Sequence, residues 1–193
     1  MSLTTNRFIR SHETSDAGSL GLTDAVQAHS PGKARLISTA HLDIRQSEAY
    51  LAKLCSARSG GAVSRMVLLV IDCDGEWPAG SAAHRLIGSR IAAALASARS
   101  LEMSVVYTHN NSLPAGAPGT MYAPSIAPHE DEPDFPKTAL SPFSEPQFEQ
   151  YLAERSIETL VVIGFGLRLG VYQTCLDALE RGYHIVVLRD CTL

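Results

Sequence analysis

The sequence predicts an α/β fold in which a parallel β-sheet is covered by helices on both faces, a three-layer α/β/α arrangement. Two observations lead to this prediction. Short, continuously apolar runs such as residues 66–71, "MVLLVI", are typical of strands that are buried on both faces of a sheet. These runs alternate with longer segments whose apolar residues recur at helical spacing. That alternation is typical of βαβ units with right-handed crossovers.

Strands and helices are expected to follow one another strictly between residues 65 and 190. The apolar runs predict four strands, at residues 65–72, 103–109, 159–164 and 184–190. Helical spacing predicts three helices between them, at residues 81–99, 147–156 and 170–182, the last ending at Gly182. We therefore expect a Rossmann-like α/β domain over residues 61–193.

Residues 1–60 are predicted to extend this domain with an N-terminal arm and helix. Residues 1–40 are rich in Ser, Thr and Gly and show no sustained periodicity, which indicates an irregular or partly ordered arm. Residues 42–57 carry apolar side chains at helical spacing and end before a Ser-Gly-Gly turn. This pattern predicts an amphipathic helix, with Cys55 on its apolar stripe.

A long segment at residues 109–146 holds eight of the ten prolines and is predicted to be a loop. Loops of this length in a compact domain are functional or disordered. The segment contains the acidic run "HEDEPD" at residues 129–134. We interpret this run as a solvated stretch, with a metal site as the alternative.

The bulk composition excludes several classes of function. The formal net charge is −4 and no Lys/Arg cluster stands out, which argues against a nucleic-acid partner. No apolar run approaches the roughly 20 residues that span a bilayer, and the first residues lack the apolar core of a secretory signal. The four cysteines form no C-x-x-C pair. We expect a cytoplasmic protein with reduced thiols and no membrane partner.

Several polar or glycine residues lie where a predicted strand ends, which is where open parallel sheets bind ligands. They are Asp72, His109, the "GFGLRLG" turn at residues 164–170, and Asp190. A dinucleotide site is one reading of this turn. The glycines at 164, 166 and 170 are spaced one residue too widely for G-x-G-x-x-G, and little chain follows them. We therefore reject the dinucleotide reading.

Three segments in order resemble the isochorismatase-like hydrolase superfamily, over about residues 65–192. The first, "LLVIDCDGEW", is similar to the family's strand ending in V-I-D, and the second, "FPKTALSPF", to its K-x-x-x-S-x-F. The third, "VVIGFGLRLGVYQTCLDALERGYHIVVLRD", is the most specific. Its residues in register with the family pattern are Thr174, Asp177, Ala178, Gly182, Tyr183 and Asp190.

The resemblance implies a catalytic Asp, Lys and Cys, and these positions are Asp72, Lys137 and Gly170. Glycine at the third position removes the thiolate that would form an acyl-enzyme. We do not expect another thiol to substitute. Cys175 lies on the buried stripe of its helix, Cys73 should point away from its neighbour Asp72, and Cys191 ends a different strand.

True isochorismatases also carry glycine at this position and hydrolyse a vinyl ether without a nucleophilic side chain. The resemblance assigns the acid that protonates the enol carbon to Asp72, with Lys137 orienting groups or stabilising charge. Burial would raise the pKa of Asp72 and the Lys137 ammonium would lower it. The sequence leaves this competition open.

A dicarboxylate substrate would need cationic and N–H donors. The predicted substrate-binding residues are Arg168, the amides that begin the 170–182 helix (Val171 included), His109 and Asn110. The resemblance places a glutamine-like amide near Asn110. A structural histidine at 109 and a surface arginine at 168 are the alternatives. We expect a small-molecule substrate and neither metal nor cofactor.

Two departures from the family pattern keep a second function open. The chain reads Cys-Asp-Gly-Glu-Trp after Asp72 in place of the family's Gln-Asn, and the family pattern continues past Asp190 into further sheet and helix. We expect the N-terminal arm and helix to cover that edge, or a homo-oligomer to pair it. The alternative function is a catalytically inactive binding or assembly scaffold. Convergence of Asp72, Lys137 and the Gly170 amide on one closed pocket, with a carboxylate-sized cavity and a nearby Arg, favours the enzyme. A collapsed or open site favours the scaffold.

Overall fold

The structure of this protein is a computed structural model that describes residues 36–38, 63–75, 82–111 and 122–193. The predicted helix at 42–57, with Cys55, lies outside these residues. None of the helices in the described part of the chain combines the length and the apolarity that a membrane crossing needs.

Six parallel strands form one sheet in the order β1-β6-β5-β2-β3-β4. Numbered along the chain they are β1 Leu36–Ser38, β2 Met66–Ile71, β3 Ser104–Asn110, β4 Asp134–Lys137, β5 Thr159–Gly164 and β6 His184–Thr192. All four strands predicted from the apolar runs are present. Because the strands are parallel, their carboxyl ends meet at one edge of the sheet.

Three α-helices cover the sheet, α1 Ala82–Ser100, α2 Pro146–Glu154 and α3 Gly170–Glu180. The side chains of α1 belong to one buried cluster, and those of α2 and α3 to a second cluster on the opposite face. The three predicted helices and the predicted three-layer α/β fold are therefore confirmed.

The central strand β2 shows why these residues form a doubly covered sheet. All six of its residues are buried. Successive side chains of a strand point to opposite faces, so Leu68 and Val70 join the α1 cluster while Val67 and Leu69 join the cluster of α2 and α3. A run without polar residues is what such a strand requires.

Two short strands were not predicted. Strand β4 lies inside the segment that was predicted to be a loop at 109–146, and it pairs with β3. Strand β1, Leu36–Ser38, pairs with β6 and lies within residues 1–40, which were predicted to be an irregular or partly ordered arm. Both strands lie at the edges of the sheet and are too short to show a periodicity. The domain boundary at residue 60 stays a prediction.

The turn after β5 requires a glycine. Gly164 has φ 130°, in the region that side chains rarely adopt. A Cβ atom there would lie 2.7 Å from the Ile71 amide nitrogen and would also overlap the Ile71 carbonyl oxygen. The Phe165 amide donates to that carbonyl at 2.9 Å. The "GFGLRLG" segment is thus a tight turn that brings α3 against the end of β2.

We predict that Gly164→Ala destabilises the protein by more than about 3 kcal/mol, because the added methyl group meets backbone atoms that cannot move aside. Gly182→Ala is the matched control. Gly182 has φ 88° but no atom within 4 Å of its would-be Cβ, so strain alone should cost about 1 kcal/mol. Urea unfolding of both variants measures the difference, and equal losses would contradict the steric explanation.

Candidate active site

The three residues of the predicted catalytic set come together at the carboxyl edge of the sheet. Asp72 follows β2, Lys137 ends β4, and Gly170 begins α3. Asp72 has φ 50°, a left-handed conformation that aspartate tolerates better than most residues. Its amide donates to the Thr108 carbonyl at 2.9 Å, which holds the turn against β3.

Asp72 and Lys137 form an ion pair. The Lys137 Nζ lies 3.0 Å from Asp72 Oδ2, and it also donates to the Ala139 carbonyl at 3.4 Å. The Lys137 side chain is 1% exposed and that of Asp72 is 25% exposed. A lysine buried this deeply needs a charged partner, so Lys137 belongs to the site and is not a solvated loop residue.

The pKa of Asp72 lies above its ordinary value of 3.8. Burial is the largest influence and raises the pKa; the hydrogen bond and the charge of Lys137, and then the charge that His109 carries when it is protonated, lower the pKa. Burial therefore prevails in the competition that the sequence leaves open. The Oδ1 atom is buried and has no hydrogen-bond partner among the described residues. It is the oxygen on which a proton can reside, because Oδ2 faces Lys137.

Gly170 contacts the acid directly. A Cβ atom at this position would lie 2.8 Å from Asp72 Oδ2, 3.4 Å from the Leu140 carbonyl oxygen and 3.5 Å from Ile71 Cγ2. The space that a side chain would use is thus occupied by the Asp72 carboxylate. Thr174 donates from its hydroxyl to the Gly170 carbonyl at 2.6 Å, which anchors the first turn of α3. Any side chain at 170 must displace the carboxylate.

The residues beside Gly170 are less suited to the predicted substrate contacts. Val171 is 1% exposed and packs in the core, and its amide donates to the Gly166 carbonyl at 3.1 Å. This placement does not support a substrate contact through Val171, because both its side chain and its N–H group are engaged. Arg168 is exposed on the turn before α3, and the structure shows no contact between Arg168 and either Asp72 or Lys137.

His109 and Asn110 both lie at the carboxyl end of β3. His109 Nδ1 is 2.8 Å from Asp134 Oδ1, and the Tyr122 hydroxyl donates to Asp134 Oδ2 at 3.0 Å. Asn110 is exposed, and its Cα is paired with that of Lys137. The structure therefore places Asn110 beside Lys137 and His109 on the opposite face of the same strand end.

Three residues of this edge were missed by sequence reasoning. Asp134 and Tyr122 support His109, and Asp74 forms an isolated bridge with Tyr122. The pKa of Asp74 is raised, mainly by burial and further by the charges of Asp72 and Asp134. Asp134 and Lys137 are three residues apart, so in a strand their side chains point to opposite faces of the sheet. The sequence does not reveal this arrangement, because β4 has only four residues and cannot be recognised as a strand.

The acidic run at 129–134 is only partly a solvated stretch, because residues 129–131 are exposed whereas Glu132 and Asp134 are partly buried. Glu132 forms an ion pair with Arg99 at 2.7 Å, and Asp134 contacts His109 and Tyr122. Among residues 63–75, 82–111 and 122–193, no group of three His, Cys, Asp or Glu side chains is arranged to hold a metal ion.

The three described cysteines are buried thiols that form no disulfide with one another. Burial raises the pKa of Cys175 to about 11. It raises that of Cys191 to about 12, with the Asp190 charge adding to the effect. The pKa of Cys73 is raised well above its ordinary value by burial and by the charges of Asp72 and Asp74. Because the thiolate is the nucleophile, none of the three is activated for attack.

We predict an asymmetric double-mutant cycle for the ion pair. Asp72→Asn should cost about 3 kcal/mol, the low end for buried pairs because Asp72 keeps 25% exposure, since it leaves a buried cation unpaired. Lys137→Met should cost less, because the remaining carboxyl group can take up a proton. The double variant should lose less than the sum of the two.

Denaturant unfolding at neutral pH measures this cycle. Glu149→Gln is the control, because Glu149 belongs to a half-exposed ion pair with Arg181 and its loss should cost less than about 1 kcal/mol. Strictly additive losses at Asp72 and Lys137 would show that the two side chains do not interact in solution.

We also predict that iodoacetamide alkylates the native thiols slowly at neutral pH. For Cys175 the pKa of about 11, against an ordinary 9.0, reduces the thiolate fraction about 100-fold, and burial slows the reaction further. Peptide mass spectrometry of native and urea-unfolded protein compares Cys73, Cys175 and Cys191. Rapid native labelling of any of the three would contradict their buried placement.

Several solved structures are similar to this chain in fold. The chain resembles an isochorismatase-like hydrolase from Alkaliphilus metalliredigens, with 25% identity and a TM-score of 0.61 over 66% of this chain and 81% of the other. It resembles N-carbamoylsarcosine amidase from Thermoplasma acidophilum, with 25% identity and a TM-score of 0.58 over 66% and 83%. A cysteine hydrolase from Pseudomonas syringae pv. phaseolicola, 20% identical with a TM-score of 0.61 over 67% and 73%, shares the fold.

A search of curated proteins found no match to the chain. Comparison with family models, however, agrees with the structural likeness. The family model of the isochorismatase domain matches residues 66–193, which include Asp72, Lys137 and Gly170 and all but the first strand of the sheet. This chain therefore belongs to the isochorismatase domain family and has the α/β fold of the isochorismatase-like hydrolases.

Proposed function

We propose that the protein is a hydrolase that cleaves a vinyl (enol) ether by acid catalysis, without a cysteine nucleophile. Isochorismate, which would give pyruvate and a dihydro-diol, is an example of such a substrate. The environment of Asp72 is the observation that supports this proposal. The buried acid Asp72 has one oxygen against Lys137 and one without a partner, and it lies against a residue that has no side chain.

The chemistry of an enol ether suits a carboxylic acid in this state. The Asp72 carboxyl group transfers its proton to the terminal enol carbon, and the electrons of the C=C bond form the new C–H bond. The ether carbon becomes an oxocarbenium ion, to which water adds. The resulting hemiketal collapses to a ketone and an alcohol. No covalent enzyme intermediate is formed, and the reaction consumes only water.

Lys137 has a role that changes during this sequence. Before proton transfer, burial keeps the pKa of Asp72 raised, which favours the acid form. After transfer, Asp72 is a carboxylate whose Oδ2 lies 3.0 Å from a buried ammonium group. The cation stabilises this developing charge in a place where little solvent reaches it. Lys137 thus assists the step in which Asp72 becomes charged.

Gly170 supports acid catalysis rather than thiol catalysis. A cysteine at 170 would place its Cβ 2.8 Å from the acid oxygen, so the carboxylate could not keep this position. The described thiols are buried and their pKa values are raised. The substrate is therefore expected to be an enol ether rather than an amide, and the reaction needs no cofactor or metal.

The test is incubation of the purified protein with isochorismate and with a panel of simple amides, following pyruvate and ammonia release. We expect pyruvate from isochorismate and no ammonia from the amides. Asp72→Asn should lower kcat by a factor of about 100 or more, since it removes the proton donor. Glu180→Gln, which removes an exposed carboxylate from the far end of α3, is the control and should leave kcat unchanged.

The dependence of kcat on pH is a second test of the role of Asp72. The acid must be protonated, so kcat should fall as pH rises through the Asp72 pKa, which lies above 3.8. Lys137→Met removes an influence that lowers this pKa, so the fall should move to higher pH. Pyruvate release that survives Asp72→Asn would refute the acid role. Absence of all turnover would favour a non-catalytic scaffold.

A further inference from the structure

We propose that His109 is the base that accepts a proton from the attacking water, and that Asp134 and Tyr122 position it for that task. This inference rests on the proposed enol-ether hydrolysis and adds a second catalytic group to it. The acid step accounts for one proton, but water addition releases another, which needs an acceptor near the oxocarbenium carbon.

The contacts of His109 form a continuous chain. His109 Nδ1 lies 2.8 Å from Asp134 Oδ1, and the Tyr122 hydroxyl donates to Asp134 Oδ2 at 3.0 Å. The two rings of Tyr122 and Tyr107 are in edge-to-face contact at 5.2 Å, and the Tyr107 hydroxyl donates to the Ile126 carbonyl. One oxygen of the Asp134 carboxylate thus contacts His109 and the other accepts from Tyr122, whose ring packs against the buried Tyr107.

This chain determines the tautomer of the imidazole. An ionised carboxylate can only accept hydrogen bonds, so His109 Nδ1 must carry the hydrogen. In the neutral ring, Nε2 then carries the lone pair and can accept a proton. The Asp134 side chain cannot turn away easily, because its second oxygen is engaged by Tyr122. Orientation and tautomer are therefore set by the same contact.

His109 is close to the acid but on the other face of the sheet edge. Asp72 donates its amide to the carbonyl of Thr108, the residue before His109. Along β3, His109 shares the side of Tyr107, which packs in the α1 cluster, whereas Lys137 shares the side of Phe135 in the opposite cluster. The acid therefore has Lys137 on one side and His109 on the other.

The neighbouring groups are poorer acceptors. Lys137 carries three N–H donors and no lone pair while it is paired with Asp72. Cys73 is a fully buried thiol whose Sγ donates to the Ile71 carbonyl at 3.6 Å. His109 is 30% exposed, so water can reach it. Of these three side chains, His109 combines a ring nitrogen that is not bound to Asp134, a fixed orientation and access to water.

The proton balance is complete with this assignment. Asp72 gives its proton to the enol carbon, and water forms a C–O bond to the oxocarbenium carbon while losing one proton to His109 Nε2. The hemiketal C–O bond then breaks, with its hydroxyl proton passing to the departing alcohol oxygen. Transfer of the extra proton from His109 to the Asp72 carboxylate through water restores both groups.

The experiment compares His109→Ala, Asp134→Asn and the control His129→Ala, whose histidine is exposed and lines a cavity with Ser104 at the amino end of β3. We expect His109→Ala to lower kcat about 100-fold with little change in KM, and added imidazole to restore part of the rate. Asp134→Asn should lower kcat about 10-fold or more. Tyr122 donates to the remaining oxygen, so the new amide group faces Nδ1 and forces the hydrogen onto Nε2.

Nitrogen-15 NMR of labelled histidine reads the tautomer without any substrate. We expect an Nδ1–H signal for His109 in the wild-type protein and a change of tautomer in Asp134→Asn. A wild-type Nε2–H tautomer, or a His109→Ala variant with full kcat, overturns the role of His109 and leaves the acid mechanism standing. Absence of enol-ether turnover by the wild-type protein overturns the proposed function and, with it, this assignment.

Discussion

The buried ion pair between Lys137 and Asp72 is the interaction on which the site depends. Strands β2 and β4 are not neighbours, because β3 lies between them. The ion pair therefore crosses the carboxyl end of β3 and connects the end of β2 with the end of β4. Lys137 is 1% exposed, so its charge has almost no other means of stabilisation. The position of Asp72 follows from that requirement, and its left-handed backbone is tolerated because of it.

The surrounding residues position the Asp72 carboxylate and determine its protonation. Gly170 leaves room for Oδ2, the Thr108 carbonyl holds the Asp72 amide, and burial keeps the acid form favoured. A cation and a low-polarity environment act in opposite directions on one pKa. That balance is useful to a group that must give up a proton and then carry a charge. It is also costly, as strained and buried polar sites generally are.

Much of the fold was predictable because it rests on local patterns. The apolar runs of β2, β3, β5 and β6 and the stripes of α1, α2 and α3 have enough residues to show their period. Strands β1 and β4 have three and four residues, so their membership in the sheet depends on partners that are distant in the chain. The family resemblance indicated Asp72, Lys137 and Gly170, and the structure brings these residues together. Asp134 and Tyr122 were not predicted, since the proline-rich segment carries no periodic pattern.

The sequence by itself determined the layer arrangement and the absence of a side chain at position 170, because these depend on residue type and short-range order. Its resemblance to the isochorismatase-like hydrolases indicated Asp72 as the candidate acid. Only the tertiary structure decided whether burial or Lys137 dominates the pKa of Asp72, which face each strand-end side chain occupies, and that Val171 packs inward. The physical reason is that these properties depend on distances between residues far apart in the chain, and electrostatic and steric interactions act through distance in space.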